Sequence, residues 1–579
     1  MKILLTAVNA KYIHSNPAVY CLRAAVPEYR KHIEIGEFTI NNQTDDILKC
    51  IYKSKPDALF LSCYIWNLLH LEELMHEFHK LCPNVPIWIG GPEVSYEVKA
   101  FLENHPEVTG VVIGEGEATF RELCHHLIEN TPSSLSEIKG IAYRNAETNE
   151  VVINPSREMV NMSDIPFCYD RAEDFSNRII YYESSRGCPF SCSYCLSSVD
   201  KKLRFRDLEL VKEELGFFIE QKVPQIKFVD RTFNCNHEHA MEIWRFIKER
   251  DNGVTNFHFE ISADLLNEAE LELISDMRPG LIQLEIGVQS TNDVTIKEIH
   301  RTMKLERLKS VVNKIYSFGN IHQHLDLIAG LPYEDYDTFG RSFDEVYSMH
   351  PDQLQLGFLK VLKGSYMYEH AKEYGILYHN NPPYEVFSTN WLCYEDVLKL
   401  KCVEEMVEVY YNSHQYEMAV KVLETQFESA FEFYQKLGDF YEDKGYDKMS
   451  HSRIRRCEIL IEFAEDIFNG NSNKNEVMQC LKEALVYDLY SRENCKSRPM
   501  WACDMAGFKT MTHFYCKNGK LSHVEPFYYD FIGMKDMLPE RKEKPMWLWF
   551  SYEKRNPLTH SAQVDCVDFV EPQEKESGK

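Results

Sequence analysis

The sequence predicts an α/β protein in three parts: an open, doubly wound parallel sheet, a partial (β/α)6 barrel, and a mainly α-helical C-terminal region. Three observations carry this. Short apolar and β-branched runs alternate with helix-period segments through residues 1–130. The same alternation returns, with short connections, over residues 179–375. Beyond residue 376, apolar and aromatic residues recur at three- and four-residue spacing over long stretches. With 579 residues, 44% of them hydrophobic and 27% charged, the chain can bury several cores.

In the first part, strands are expected at 2–8 (KILLTAV), 33–40, 58–64 (ALFLSCY), 86–90 (PIWIG) and 111–114. Helices fall at 18–26, 44–52 and 68–81. Five strands with short crossovers give a flavodoxin-like sheet, which binds ligands at the carboxyl ends of its strands. The loops there are 9–17 (NAKYIHSNP), 62–67 (SCYIWN), Gly90-Gly91-Pro92-Glu93 and Gly114-Glu115-Gly116-Glu117. Their glycines let backbone approach a ligand closely. Residues 131–178 read as a connector. A hairpin of strands 138–144 and 151–155 is followed by an extended DIPF segment at 164–167.

In the second part, strands are expected at 179–184 (IIYYES), 225–229 (QIKFV), 256–262 (NFHFEIS), 282–288 (IQLEIGV), 322–328 (HQHLDLI) and 353–359 (QLQLGFL), with helices at 207–221 and 237–250. Functional residues of such a barrel collect at the carboxyl ends of its strands. The chemistry-bearing stretch follows the first of these strands: RGCPFSCSYC, residues 186–195, with Cys188, Cys192 and Cys195 in CxxxCxxC spacing. Three thiolates are one short of the four that close a structural zinc site or hold a cubane cluster. On a 4Fe-4S cluster they leave one iron open for a small ligand. Gly187 and Pro189 break regular structure, so a loop can wrap the cluster.

These motifs resemble the radical S-adenosylmethionine (SAM) superfamily. The GGP and GEGE turns upstream resemble the B12-binding domain of its cobalamin-dependent members. The resemblance implies that Cys188, Cys192 and Cys195 bind the cluster, that SAM occupies the fourth iron, and that Tyr194 lies by the adenine. It implies reductive cleavage of SAM to a 5′-deoxyadenosyl radical, with cobalamin as methyl carrier for methylation of an unknown substrate. It also implies a reducing electron donor such as flavodoxin or ferredoxin. Around SAM it points to Asp230 near the amino group, where FVDRTFN stands in place of the family's GGE. Glu260 comes from the third strand. Glu285 and Gln289 in LEIGVQS resemble an ExGxQS segment, Arg301 turns toward the carboxylate, and Gly330 sits in DLIAGLPYE near the adenine. Asp326 of the same segment is read as a structural ion pair. Ser62, Gly90, Gly91, Gly114, Glu115 and Gly116 would lie along the nucleotide tail or corrin edge. The DxHxxG motif is absent. His14 has neither the Asp nor the Gly it requires, so the cobalt is expected to lack a histidine ligand from that motif.

Other readings stand beside this one. The first part could bind no ligand. The chain could be a methylthiotransferase, whose first part would carry three cluster cysteines, whereas this one has only scattered Cys21, Cys50, Cys63, Cys82 and Cys124. It could also be a non-catalytic iron-sulfur or corrinoid-binding sensor or assembly protein.

In the third part, helices are expected at 397–436, 454–468 and 475–490 and a strand at 547–552. Its cysteines form no CxxC; Cys495, Cys503 and Cys516 are near enough in sequence to raise a second cluster. This extension is expected to shape substrate choice. The net charge of −26 argues against a broad phosphate-binding surface, so nucleic acid is not an expected partner. With no run of 18 apolar residues and no signal peptide, a cytoplasmic protein without membrane association is expected. The 18 cysteines then read as reduced thiols plus one clustered site.

Overall fold

A computed structural model describes residues 1–131, 134–169, 178–469, 474–495, 497–502, 508–516, 521–532, 534 and 538–569. The first sheet contains β1 (Ile3–Asn9), β2 (Ile33–Thr39), β3 (Ala58–Ser62), β4 (Ile87–Gly90), β5 (Gly110–Val112), β6 (Ile141–Arg144) and β7 (Val151–Ile153). Their order is β2-β1-β3-β4-β5-β6-β7. The first five are parallel; β6 and β7 run antiparallel, so the connector hairpin continues this sheet.

The sheet is covered on both sides by α1 (Pro17–Ala24), α2 (Thr44–Ser54), α3 (Leu68–Leu81), α4 (Val98–Asn104) and α5 (Glu117–Glu129). Alternate strand residues explain this. Leu4, Val8, Leu59 and Leu61 pack with Ile47 and Ile51 of α2 and Leu71 and Phe78 of α3. Ile3, Leu5, Ala7 and Phe60 pack with Val19 and Tyr20 of α1 and Phe120 and Leu123 of α5. Strands with apolar residues on both faces, as in β1 and β3, are what a two-sided parallel sheet requires.

The second sheet contains β8 (Ile179–Tyr182), then, after the short antiparallel pair β9 (Ser185–Arg186) and β10 (Arg204–Phe205), β11 (Gln225–Phe228), β12 (Asn256–Ile261), β13 (Ile282–Gln289), β14 (His322–Ala329) and β15 (Gln353–Phe358). The order is β15-β14-β13-β12-β11-β8, all parallel, as a partial barrel demands. The outer helices are α6 (Leu208–Glu220), α7 (His237–Glu249), α8 (Glu268–Ser275), α9 (Asp293–Glu298), α10 (Leu305–Phe318) and α11 (Tyr336–Tyr347). On β13, Ile282, Leu284, Ile286 and Val288 are buried, while Gln283, Glu285, Gly287 and Gln289 take the other face.

Both edges of this sheet are covered. At β8 the Ile179 N–H donates to the Ile13 carbonyl at 2.7 Å. At β15 the Asn412 side chain accepts from Leu354 N and donates to Leu354 O, both at 2.9 Å.

Beyond the barrel come α12 (Tyr366–His370), β16 (Leu377–Tyr378), β17 (Val386–Ser388) and α13 (Tyr394–Met406). A π-helical turn, Val407–Asn412, leads on to α14 (Glu417–Glu424), α15 (Ala430–Lys444), α16 (Arg453–Ile467), α17 (Lys474–Arg492) and α18 (Phe508–Tyr515). The helix expected over 397–436 is therefore broken, at His414 with φ +52° and again before the N-cap Ser429. The strand expected at 547–552 is the middle of β19 (Arg541–Arg555), which pairs antiparallel with β18 (Ser522–Tyr529) and β20 (Ala562–Val567). Among the described residues no helix is long and apolar enough to cross a membrane.

Candidate functional site

A cavity of about 1160 Å³ lies between the carboxyl ends of the two sheets, above the ~300–1,000 Å³ usual for small-molecule sites. Ser62, Gly90, Gly91, Gly114, Glu115 and Gly116 all line it. Gly91 has φ +127°, and a Cβ there would lie 2.1 Å from the Cys63 carbonyl oxygen. The chain crossing alone therefore demands glycine. Gly114, at φ +73°, has open space where a Cβ would point. Tyr64 and Trp66, stacked with ring centroids 4.4 Å apart, complete this wall. His14 also lines it, with Nδ1 2.7 Å from the Tyr181 hydroxyl. Burial and the nearby Lys11 and Lys227 lower its pKa.

The opposite wall includes Tyr194 and Cys195. Cys188 and Cys192 are buried and Cys195 is half-buried, and all three are free thiols. Their loop is fixed by backbone. Cys188 N donates to Asp200 O, Ser193 N to Ile299 O, and Met367 N to Ser193 O, each at 2.9 Å. Gly187 has φ +97°, and a Cβ there would meet Lys202 O at 2.6 Å.

Arg301 reaches this loop from beyond α9. One guanidinium nitrogen is 3.2 Å from the Tyr194 hydroxyl and 3.8 Å from Cys192 Sγ, and the other donates to Gly287 O. Its Nε is buried without a partner. Among the described residues no three His, Cys, Asp or Glu side chains converge on a single metal ion. A cubane instead takes each thiolate on a different iron. Three thiols on one loop with a buried guanidinium beside them fit such an anionic group.

The strand-end residues divide into two kinds. Tyr194 and Glu260 line the cavity. Burial lifts the Glu260 carboxyl to about 7; its nearest cation, Lys227 Nζ, is 3.9 Å away. The others brace the frame. Asp230 is 1% exposed. Its oxygens accept from the Ser184 and Ser185 hydroxyls at 2.6 Å and from Ser184 N at 2.9 Å. Burial raises its carboxyl to about 6. It thus holds the chain just before the cysteines.

Glu285 sits 2.8 Å from Lys227 Nζ and 2.9 Å from His258 Nε2. Burial alone would raise its pKa; the bonds to His258 and Lys227 outweigh it and hold the carboxylate well below its usual range. Gln289, at φ +74° beside a register shift, folds its amide over Gly287, where a Cβ would lie 2.3 Å from Nε2. Gly330, at φ +87°, packs on Val386 of β17. Asp326 pairs with His324 at 3.0 Å.

Spacing could not reveal the ion pairs that tie the two walls together. Arg186 meets Glu115 at 3.4 Å, Glu117 at 2.9 Å and Glu183 at 2.7 Å. Arg204 meets Glu115 at 2.6 Å. On the other side of the cavity, Glu97 accepts from Tyr368 at 2.8 Å and Glu93 accepts from Tyr384. In the C-terminal region Cys495 and Cys516 are half-buried thiols; Cys503 lies outside the described residues.

Comparison with known proteins agrees with this layout. Residues 3–124 match the B12 binding domain, 182–346 the radical SAM superfamily, and 372–541 a family described as a protein of unknown function, DUF4080. A 2-(S-pantetheinyl)-carbapenam-3-carboxylate methyltransferase of Streptantibioticus cattleyicolor is 29% identical over 315 residues, 49% of this chain and 44% of that protein. The chain thus spans less than half the length of that relative. An uncharacterised methyltransferase of Pyrococcus horikoshii is 25% identical over 371 residues, 62% of this chain and 77% of that protein. In fold, the chain is similar to the radical SAM methyltransferase TsrM of Kitasatospora setae, solved with cobalamin and a 4Fe-4S cluster bound. The TM-score is 0.56 at 16% identity, over 66% of this chain and 82% of that one. The chain thus carries in succession a B12-binding domain, a radical SAM domain and a DUF4080 region.

Proposed function

We propose that the chain is a cobalamin-dependent radical SAM methyltransferase acting on a substrate not yet named. The observation that carries this is the single cavity: the glycine turns of the B12-binding domain and the Tyr194–Cys195 end of the cysteine loop line the same space. A methyl carrier held by the first sheet would face SAM across that space, with room between for a substrate. When bound, the cluster supplies the electron that splits SAM and the cobalamin carries the methyl group.

The chain's own residues do the rest. Cys188, Cys192 and Cys195 hold the cluster. Asp230, through Ser184 and Ser185, fixes where their loop begins. Arg301 places a buried cation beside Cys192 and Tyr194, where it offsets negative charge. Glu260, half-protonated near neutral pH, offers the cavity either a donor or an acceptor. His14 lines the cavity with its Nδ1 bonded to the Tyr181 hydroxyl. The methylthiotransferase reading calls for three cluster cysteines in the first part, where Cys21, Cys50, Cys63, Cys82 and Cys124 are scattered in sequence. The reading places the protein in the cytoplasm, where its thiols stay reduced and a flavodoxin or ferredoxin can deliver the electron.

The test is the cobalt content and visible spectrum of protein purified without oxygen from cells grown with hydroxocobalamin. Reduction with SAM follows. One corrin per chain and formation of 5′-deoxyadenosine are expected. An intact cluster without cobalt would remove the methyl-carrier role. An intact cluster that forms no 5′-deoxyadenosine would overturn the enzyme.

A further inference from the structure

Arg186 and Arg204 are opposite each other in the antiparallel stem that opens and closes the cysteine loop. Two guanidinium groups side by side repel, so they need shared counter-charge. Part of it comes from the same stem, as Glu183 and Asp200. The rest comes from the GEGE turn of the B12-binding domain. Glu115 Oε1 is 2.6 Å from Arg204 and 3.4 Å from Arg186, and its Oε2 accepts from Val160 N at 2.9 Å. Both oxygens of Glu115 are therefore engaged, although its motif places it along the corrin.

Glu117 differs. Its Oε1 accepts from Arg186 at 2.9 Å, while its Oε2 is buried with no partner, in a residue that lines the cavity. A buried carboxylate oxygen left without a donor carries an uncompensated desolvation cost, larger when charged. A ligand that brings an N–H removes that cost. The corrin ring carries primary amides around its edge, which are such donors.

We propose that Glu117 accepts a hydrogen bond from a corrin amide, and that Arg186 and Glu115 are positioning residues that transmit the corrin's place to the cysteine loop. The proposal rests on the cobalamin reading above. The route is short. Arg186 stands two residues before Cys188, and the Cys188 N–H is held by Asp200, whose carboxylate is 2.8 Å from Arg204. Coupling of this kind is reciprocal: corrin binding orders the cysteine loop, and cluster assembly tightens the corrin.

The experiment uses the full chain with its cluster rebuilt, titrated with hydroxocobalamin by absorbance. The paramagnetic resonance of cob(II)alamin is then recorded beside the reduced cluster. Glu117→Gln is expected to keep iron, sulfide and melting temperature while weakening cobalamin about tenfold. Glu115→Gln, remote in sequence from the cysteines, is expected to alter the line broadening that the reduced cluster imposes on the cobalt signal. Arg186→Lys, which keeps the charge, is expected to retain part of that broadening. If the parent binds cobalamin and both glutamine variants match it in affinity and line shape, the relay is overturned and the methyltransferase reading stands. The same holds if Glu117→Gln weakens binding but Glu115→Gln leaves the line shape unchanged. If the parent takes up no cobalamin, both fall together.

Discussion

The two parallel sheets meet one cavity by opposite means. The first brings glycine turns: at Gly90, Gly91, Gly114 and Gly116 the backbone itself forms part of the wall, beside the Tyr64–Trp66 stack. The barrel brings charge. Lys227 and Glu260 of its strands line the cavity, and a network of pairs adjoins them: Lys227 with Glu285 at 2.8 Å, His258 with Glu285 at 2.9 Å, His324 with Asp326 at 3.0 Å. Burial of charge is offset only where a partner is close. A large ligand needs space and backbone, which glycine provides. Buried charged groups must be fixed against one another.

Breaking the barrel side should have the largest effect. Cys192→Ala is expected to abolish 5′-deoxyadenosine and lower iron content while cobalamin still binds, more weakly than in the parent, checked by chromatography and metal analysis. Cobalamin affinity equal to the parent's would mean that the two walls act separately. On the first sheet, Gly91→Ala puts a methyl 2.1 Å from Cys63 O at φ +127°. It is expected to cost about 2–4 kcal/mol, seen as an earlier denaturant transition and weaker cobalamin binding with the cluster retained.

A smaller effect is expected at Glu334, buried at the barrel rim, where it accepts from Ser290 at 2.6 Å and Ser342 at 3.0 Å. Burial raises its carboxyl from 4.5 to about 7. The folded state then binds this proton more tightly than the unfolded chain, so stability falls as pH rises from 4.5 to about 7 and is level above. Glu334→Gln keeps an acceptor and removes the titration. Across that window its stability should gain on the parent by about 1.4 kcal/mol per pH unit, measured by denaturation at pH 5 and pH 7. The smallest effect is expected at His14. His14→Gln should leave the corrin absorption bands unchanged, and a shifted spectrum would make His14 a cobalt ligand.

Much of this was legible in the chain. The α3 boundaries match the expected 68–81, and the strands of both sheets fall within a few residues of their expected places. Period-2 and apolar-run patterns are strong where both faces of a sheet are buried. The C-terminal sheet was harder to see. β18 (SHVEPFYY) contains a proline and a buried glutamate, and β20 (AQVDCV) alternates with polar residues, so neither stands out as an apolar run. At the site, the cysteine loop and the glycine turns were legible because their spacing is local. The bracing role of Asp230 and the Arg186–Glu117 pair were not. They join residues 46 and 69 positions apart, and no periodicity encodes such distances.

The Asn412 side chain on Leu354 and the Ile13 carbonyl on Ile179 have a consequence for how this protein could have been assembled over time. Bare outer strands of an open sheet recruit other chains. Here one is capped by the segment before the barrel and the other by the segment after it. A gene fragment encoding the barrel alone would leave both uncovered and is expected to yield aggregates. Gene shuffling would therefore preserve this barrel only by passing on its two flanking regions with it.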